Sequence, residues 1–275
     1  MSKYVFCAIQ LIIILLSAAP AHTQTSSRAE AMCSSMSCES GLYSVGHNPA
    51  GTAYSPLGAM AGYTSRFGLR ELSQKFITAA VPLGRGAVSA EFQHHGFQLY
   101  NTSSAVLAYA LPLGQNLSAG AGIRYHHLHI DDTPHKYQTA SGEIGILYRA
   151  TGHLSMGSWV SNITNSQYQE ADSAIPVRIQ AGIRYSMYGG HSLSLDLEKN
   201  SQLTSITVRC AAYFRLNSHI SVMAGISSHP VTIGAGVEVS AAGFRMIFAA
   251  SHHEYLGWNP SASVAWQKEE AANGQ

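Results

Sequence analysis

The sequence has little charge. Charged residues make up 11% of its 275 residues, whereas a soluble domain usually carries about 25%. Hydrophobic residues reach 46%, an ordinary share, so Gly, Ser, Thr, His and Asn fill the places that charge leaves. Sixteen basic and fifteen acidic residues nearly cancel, and no basic stripe interleaves with aromatic residues. We therefore expect no nucleic-acid partner.

Long apolar runs are absent beyond the N-terminus. Lys3 precedes the nearly continuous run YVFCAIQLIIILLSAA, and Ala19-Pro20-Ala21 supplies small residues for cleavage, a pattern typical of an export signal. We predict a signal peptide over residues 1–21, with an uncleaved anchor as the alternative. No later segment has eighteen uninterrupted apolar residues, so membrane integration of the mature chain would have to use strands.

Cysteine is scarce, with four residues in the chain. Cys33 and Cys38 follow the predicted signal in the stretch CSSMSC, and an oxidising compartment would allow a disulfide between them. Two unpaired thiols are the alternative. No further Cys or His stands at a spacing that would complete a zinc site.

Catalytic signatures are missing as well. The chain contains no Gly-x-Ser-x-Gly elbow, no His-Glu-x-x-His pair and no glycine-rich phosphate loop before a helix. We therefore expect neither an enzyme nor a bound cofactor.

From residue 57 onward the chain alternates with a period of two. In VTIGAGVEVS, Val231, Ile233 and Val237 share one face, while Thr232 and Glu238 share the other, as in a strand with one apolar and one polar face. Such segments occupy 58–67, 73–83, 86–96, 102–112, 116–129, 138–150, 153–163, 176–188, 191–199, 203–216, 219–227, 230–240, 243–252 and 260–267. The first, second and fourth alternate poorly, so twelve strands is an alternative to fourteen.

The connections between these segments alternate in length. Short connections, such as 151–152 and 217–218, alternate along the chain with longer polar connections, such as 131–138 and 164–176. Transmembrane barrels have this asymmetry, with tight periplasmic turns and longer outer loops. We therefore predict an all-β fold, a closed antiparallel transmembrane β-barrel over residues 57–267, in the outer membrane of a Gram-negative bacterium with outer-membrane lipid around it.

Aromatic residues fit that orientation, because barrels carry aromatic belts at both membrane interfaces. The predicted outer belt contains Phe67, Phe92, Tyr125 and Trp159, and the predicted inner belt contains Tyr148, Tyr185, Phe214, Phe244 and Trp266.

If the apolar faces contact lipid, the polar faces line the interior. Charges of both signs occur there, which favours ion pairs that brace the wall over the single-sign ring of an ion-selective pore. The predicted luminal charges are Glu91, Arg124, Glu143, Arg149, Arg178, Arg184, Asp196, Glu198, Arg209, Glu238 and Arg245.

Histidine is frequent, with fourteen residues. Several fall at predicted outer strand ends: His94, His95, His126, His127, His129, His252 and His253. Imidazole binds metals and haem, so an outer-rim metal or haem site is a remote alternative. The strands that carry these residues are not all neighbours, and we expect solvated side chains and no metal site.

The stretch GHNPAGTAYSPLG, residues 46–58, combines prolines and glycines just before the first strand. GHNPAGTA resembles the Asn-Pro-Ala-Gly signature of the FadL-like group of outer-membrane proteins, which includes long-chain fatty-acid transporters and the PorV-like proteins associated with type IX secretion in Bacteroidetes. Three later stretches are similar to the PorV-like pattern in the expected order: ILYRATGHLSMGSWVSNIT, IPVRIQAGIRYSMYGGHSLSLDLEKN and FRMIFAASHHEYLGWNPSASVAW. The resemblance covers most of residues 41–267.

In that family the residues before the first strand fold into the lumen as a plug. The resemblance implies that residues 22–56 form such a segment, with a tight turn at Asn48, Pro49, Ala50 and Gly51; a linker turn is the alternative. The residue types suit a tight turn, since Asn closes Asx turns, Pro fixes φ and Gly permits close backbone approach.

The resemblance implies two functions. The closer motif match, to the PorV-like branch, predicts binding or shuttling of secreted proteins or secretion-system partners. The alternative is a FadL-like channel or transporter for a small hydrophobic molecule. The chain departs from the family in its shortness, its modest outer loops and a polar tail at 268–275, and the missing loop mass argues against a fatty-acid capture site.

Overall fold

The computed structural model of the protein describes residues 26–131, 137–168 and 175–268. The predicted signal peptide and all but the first residue of the predicted tail lie outside these ranges. The strands are β1 (Gly58–Arg66), β2 (Leu69–Leu83), β3 (Gly86–Gly96), β4 (Tyr100–Pro112), β5 (Leu117–Ile130), β6 (Tyr137–Arg149), β7 (Leu154–Ser161), β8 (Arg178–Ser186), β9 (Ser192–Asn200), β10 (Ile206–Arg215), β11 (Ile220–Ser228), β12 (Val231–Ala241), β13 (Phe244–His253) and β14 (Gly257–Gln267). Within the described ranges, no helix is both long and apolar enough to cross a bilayer.

The sheet closes on itself. Each strand pairs antiparallel with its neighbours in the chain, and β1 pairs with β14 in a register that runs from Gly58 opposite Gln267 to Thr64 opposite Ser261. Closure gives every strand two hydrogen-bonded neighbours, as lipid requires, because unpaired backbone groups find no water there. The predicted closed fourteen-strand barrel is confirmed, and the twelve-strand alternative is wrong.

The barrel exterior is apolar. Along β9, Leu193, Leu195 and Leu197 are exposed, whereas Asp196 and Glu198 between them are buried in the interior. The same division holds on β5 and β6, where the exposed side chains include Ile123 and Ile144. An exposed apolar surface that surrounds a closed barrel is what a lipid-facing wall presents.

Two rims bound this wall. The terminal rim carries Gly58 and Gln267, the first and last residues of the barrel, and the distal rim lies at the opposite strand ends. By the predicted orientation, the terminal rim is periplasmic and the distal rim faces outward.

The poor alternation of β1 and β2 has a structural cause. Met60 on β1 and Phe76 on β2 face inward and are buried in an apolar cluster with Leu42, Tyr43 and Val45. The interior face of these strands is therefore apolar where it packs against the chain inside the barrel, and a pattern that assumes a polar lumen misses it.

Loop length differs from the expectation. At the distal rim, β1 and β2 are joined by Phe67 and Gly68 alone, both with positive φ (56° and 71°). The predicted asymmetry is wrong for most connections, because strands such as β2 and β14 begin before their predicted first residues, 73 and 260. The connection 162–177 between β7 and β8 is the long one.

Trp159 does not belong to the outer aromatic belt that the sequence predicts. Its side chain faces the lumen and is 2% exposed. In GSWVS the adjacent Trp and Val are both apolar, so alternation alone does not decide which of them faces lipid.

A charge on the lipid face tests the position of the membrane. Ile144→Arg places a cation in the middle of the exposed face of β6, and we expect a loss of about 2–4 kcal/mol in folding free energy, against about 0–1 kcal/mol for Gln138→Arg on the same face near the distal rim. Equilibrium unfolding in lipid vesicles measures both. Equal losses would contradict a lipid-facing belt at Ile144.

Candidate functional site

The described residues before β1, 26–57, lie inside the barrel; we call them the luminal segment. Its helix α1 (Ser27–Ala31) contacts β1 and the strands β11 to β14, whereas its 3₁₀ helix Pro49–Tyr54 contacts β3 to β6. The segment therefore crosses the lumen from one wall to the other before it reaches Gly58. Ser26 caps α1 through its hydroxyl, which accepts a hydrogen bond from the Ala29 N–H at 3.1 Å.

Asn48 joins the luminal segment to the wall. Its Nδ2 donates to the Ser37 carbonyl at 2.7 Å and to the Ile146 carbonyl of β6 at 2.9 Å, and its Oδ1 accepts from the Ala50 N–H at 3.0 Å. The side chain is fully buried, so these bonds replace all contact with water. Asn48 thus begins the 3₁₀ helix Pro49–Tyr54 and braces it against β6.

The rest of the Asn-Pro-Ala-Gly stretch packs closely. The Ala50 carbonyl accepts a hydrogen bond from Ser118 Oγ at 2.9 Å, and Pro49 stands at the first turn of the 3₁₀ helix, where its missing N–H costs nothing. A Cβ at Gly51 would collide with the Glu39 carbonyl and Ser44. The four residues lie inside the barrel in a compact turn.

Glycines in the wall make room for the luminal segment. A Cβ at Gly157 on β7 would overlap the Ser37 carbonyl, and a Cβ at Gly145 on β6 would overlap Asn48 Oδ1. The segment therefore touches the backbone of the wall, through its own backbone at Gly157 and through the Asn48 side chain at Gly145, which only glycine permits at these positions.

Ion pairs tie the luminal segment to three strands. Arg28 pairs with Glu39 within the segment and with Glu238 on β12, both at 3.3 Å. Glu39 also pairs with Arg184 on β8. Arg28 is stacked on the rings of Tyr43 and Tyr213, 4.8 and 4.5 Å from their centroids. At the distal end, Glu30 pairs with Arg66 at 2.8 Å.

A second group of charges lies within the wall. Arg124 pairs with Glu91 and Glu143, each at 3.2 Å, and donates to the Gly46 carbonyl of the luminal segment at 3.3 Å. Arg209 pairs with Glu198 at 3.1 Å. These residues lie in the lumen, where charges of opposite sign neutralise one another.

The remaining predicted luminal charges have separate contacts. Asp196 accepts from Ser37 Oγ at 2.6 Å and from Gln180 at 2.7 Å. Arg149 is stacked on Tyr54 near the terminal rim, and Arg245 lies close to Tyr43. Arg178, at the distal end of β8, lines two cavities described below.

Sequence reasoning missed the charges of the luminal segment itself. Arg28, Glu30 and Glu39 all pair with groups across the lumen, yet none was proposed as a site residue. Their charge could have identified them. Charged residues are rare in this chain, and these three stand just before strands whose polar faces also carry charge.

The disulfide between Cys33 and Cys38 is absent, since both thiols are free. The Cys33 thiol donates to the Thr232 carbonyl on β12, whereas Cys38 contacts the Ser155 and Gly182 carbonyls on β7 and β8. The two side chains thus point at different walls. Burial raises the pKa of Cys33 to about 12 and that of Cys38 to about 11, so both thiols are unreactive at neutral pH.

The histidines lie near the distal ends of β3, β5 and β13 but do not converge. His94 contacts Ser103, His126 contacts Ser141 inside the lumen, and His252 packs edge-on against Trp258. Across the described parts of the chain, no group of three or more His, Cys, Asp or Glu side chains could hold a metal ion.

Two cavities lie below the distal rim on either side of Arg178. One, of about 20 Å³, is lined by Arg124, His126 and Ile175 among others. The other, of about 100 Å³, is lined by Gln180, Arg209 and further polar residues. Both cavities have arginine side chains in their lining.

The barrel wall is low at β7, meaning that this strand, the shortest one described, stops before the distal rim. β7 ends at Ser161, opposite Glu143 of β6, whereas β6 continues to Tyr137. Beyond that point a connection replaces the ladder: the Ile163 N–H donates to the Gly142 carbonyl at 2.9 Å. Asn162 holds the connection through donation to the Ser166 and Ile175 carbonyls.

An apolar cluster covers this low wall from inside. Tyr168 and Ile175 of the connection are buried against Leu128 of β5 and Tyr137 of β6. The cluster places an apolar patch at the distal mouth, directly beside the smaller polar cavity that Ile175 also lines.

The fold matches outer-membrane transporters. The toluene transporter TbuX of Ralstonia pickettii has a TM-score of 0.67 at 13% identity, over 90% of this chain and 98% of that one. The toluene transporter TodX of Pseudomonas putida gives 0.67 at 10%, over 89% and 98%. A FadL homologue of Pseudomonas aeruginosa gives 0.64 at 11%, over 88% and 98%. No protein-family model and no curated protein sequence matches the chain.

These structures are FadL-family barrels, and at such low identity the likeness concerns the fold. Together with the closed barrel and its apolar exterior, the fold places the protein in the outer membrane of a Gram-negative bacterium.

A valine in the wall should displace the luminal segment. Gly157→Val puts a branched side chain where the Ser37 carbonyl lies, so we expect Cys38 to become accessible and reactive. The readout is the mass shift with a polyethylene-glycol maleimide in a Cys210→Ser background, because Cys210 is exposed on the exterior.

Gly152→Val is the control, since a Cβ at Gly152 meets open space. It should leave Cys38 unlabelled, as in the parent chain. Labelling of Cys38 in the parent, or its absence in both variants, would contradict the close packing at Gly157.

Removal of the Asn48 amide should weaken the docking of the segment. Asn48→Ala leaves the buried Ser37 and Ile146 carbonyls without this donor, and we expect a loss of about 1–3 kcal/mol in unfolding free energy. Denaturant unfolding measures it, with the exposed Asn116→Ala as the control that should stay near the parent value. A loss of equal size in both would count against Asn48 as a brace.

Proposed function

We propose that the protein is an outer-membrane channel or carrier for a small hydrophobic or amphipathic molecule, with the luminal segment as its plug. The observation that carries the proposal is a barrel of the same fold as toluene transporters whose lumen is occupied by its own N-terminal segment. A lumen filled in this way admits a solute only if the segment shifts or the wall opens.

The low wall at β7 supports a lateral path. A hydrophobic solute in the outer leaflet would meet the exposed Ile163 beside Gly142, and behind it the apolar cluster of Tyr168 and Ile175. Apolar contacts on both sides of a connection that holds few ladder hydrogen bonds make this the place where the wall opens at least cost.

The paired charges of the lumen support a plug that moves without unfolding. The Arg28–Glu39 pair lies within the luminal segment and can stay intact when the segment moves, whereas the pairs with Glu238 and Arg184 on the wall would have to break. The expected secretion-partner function has less support, since the structures that share the fold are named as transporters of hydrocarbons.

A reversible lock on the plug tests the proposal. Ser35 Oγ of the luminal segment lies 3.0 Å from Ser194 Oγ of β9, so the pair Ser35→Cys and Ser194→Cys brings two sulfurs within bonding reach. The double variant is made with Cys33→Ser and Cys38→Ser to prevent mispairing.

Uptake of radiolabelled toluene and of oleate is measured in cells that lack their own hydrophobic-compound channels. We expect uptake above vector-only cells, loss of uptake in the oxidised double variant, and recovery on reduction. Each single cysteine variant is the control and should be insensitive to oxidation. Uptake of neither probe would overturn the proposal, and equal uptake by locked and unlocked protein would overturn the moving plug and leave the opening of the wall at β7 as the path.

A further inference from the structure

The distal ends of β2 to β6 carry polar side chains on the exterior of the barrel. One row of them crosses all five strands, because each member stands opposite the next in the ladder register. We call it the distal polar row, and it consists of Lys75, His94, Ser103, His127 and Gln138. Its members face away from the lumen, as the exposed apolar residues of the same strands do.

The distal polar row lies at the height of lipid headgroups. The next exterior residues toward the middle of each strand are apolar, and they are Ile77, Phe92, Ala105, Tyr125 and Ala140. Phe92 and Tyr125 are exposed and belong to the predicted outer aromatic belt, and such belts mark the membrane interface. A lipid seated here therefore has its headgroup against the polar row and its acyl chains against the apolar residues.

The row is confined to one side of the barrel. On the other side, the outermost exterior residues of β8, β10 and β12 are apolar and exposed, namely Ile179, Ile206 and Val231. A bilayer of uniform lipids surrounds a barrel evenly and does not require polar side chains on one side alone. The row is therefore a local feature of β2 to β6.

The row supplies a positive charge and several hydrogen-bond donors. Lys75 is exposed, and within the described ranges neither its ammonium group nor the His127 ring has a hydrogen-bond or ion-pair partner. The His94 Nδ1 lies 3.0 Å from Ser103 Oγ. An unpaired ammonium beside imidazole, hydroxyl and amide groups matches a ligand that combines phosphate with hydroxyl groups.

The surroundings of the row favour an anion. The next exterior pair toward the distal rim, Asn101 opposite His129, is also polar and carries no carboxylate. Glu71 and Asp131, the described acidic residues on this side, lie four residues beyond the members of the row on β2 and β5, about 13 Å further along each strand. A phosphate at the row therefore meets no carboxylate at close range.

We propose that the distal polar row binds the headgroup of a phosphorylated glycolipid in the outer leaflet, with a phosphate at Lys75 and sugar hydroxyls at His127 and Gln138. The five strands place about 19 Å between the ends of the row, a width that suits several sugar and phosphate units better than the single phosphate of a phospholipid. Phe92 and Tyr125 then pack against acyl chains. This site goes beyond the proposed channel function, because it lies on the exterior of the wall.

Native mass spectrometry of the purified full chain in detergent micelles tests the binding. The probes are bisphosphorylated lipid A, the same lipid without its phosphates, and phosphatidylglycerol. We expect the protein to retain bisphosphorylated lipid A about tenfold more tightly than either of the others. Inorganic phosphate in excess should not displace it, because the acyl chains contribute to the affinity.

Variants locate the site. Lys75→Gln should weaken the affinity for bisphosphorylated lipid A by about tenfold, and Lys75→Arg should retain it because the charge stays. Lys199→Gln is the matched control, since Lys199 is an exposed lysine on the exterior of β9, away from the row. It should bind lipid A as the parent does.

Equal retention of lipid A with and without its phosphates, or an unchanged affinity in Lys75→Gln, would overturn the proposal and leave the row in contact with water alone. A similar loss in Lys199→Gln would overturn it too, since net charge would then set the affinity. Equal retention of phosphatidylglycerol would contradict a glycolipid ligand, and displacement by inorganic phosphate would indicate a site for free phosphate. Because no transport is measured, failure here leaves the toluene and oleate uptake test unaffected.

Discussion

A fourteen-strand barrel encloses more space than the side chains of its own wall can fill, and this excess governs the rest of the structure. The chain that precedes β1 fills this space. Residues 26–57 enter the lumen, and three features of the interior follow from their presence: glycines where the segment touches the wall, carbonyl acceptors for Asn48, and ion pairs that cross from segment to wall.

The barrel was predictable because lipid imposes a simple rule on strands. Where one face meets hydrocarbon and the other meets a polar interior, as on β9 and β12, alternation reveals the strand and its facing. The rule failed at Met60, Phe76 and Trp159, whose apolar side chains turn inward. Their environment is set by the luminal segment and by neighbours distant in sequence, which no local pattern encodes.

For the interior, the sequence predicted the type of interaction but not the partners. Mixed charges on the polar faces indicated ion pairing, but the partners could not be assigned from the sequence, because Arg28 and Glu238 are separated by most of the chain. The two cysteines show the same limit. Their close spacing suggested a bond, whereas the path of the segment sends Cys33 toward β12 and Cys38 toward β7 and β8.

The seam between β1 and β14 also constrains the order of assembly. The luminal segment leads directly into β1, and the Lys268 N–H donates to the Leu57 carbonyl at 2.8 Å, so the two ends of the barrel meet at the foot of the segment. Closure waits for the last strand to be made, whereas the segment is made first. The barrel must therefore either fold around the luminal segment or admit it through an open end. In either case, the pairing of β14 with β1 encloses a segment that is synthesised before any strand of the barrel.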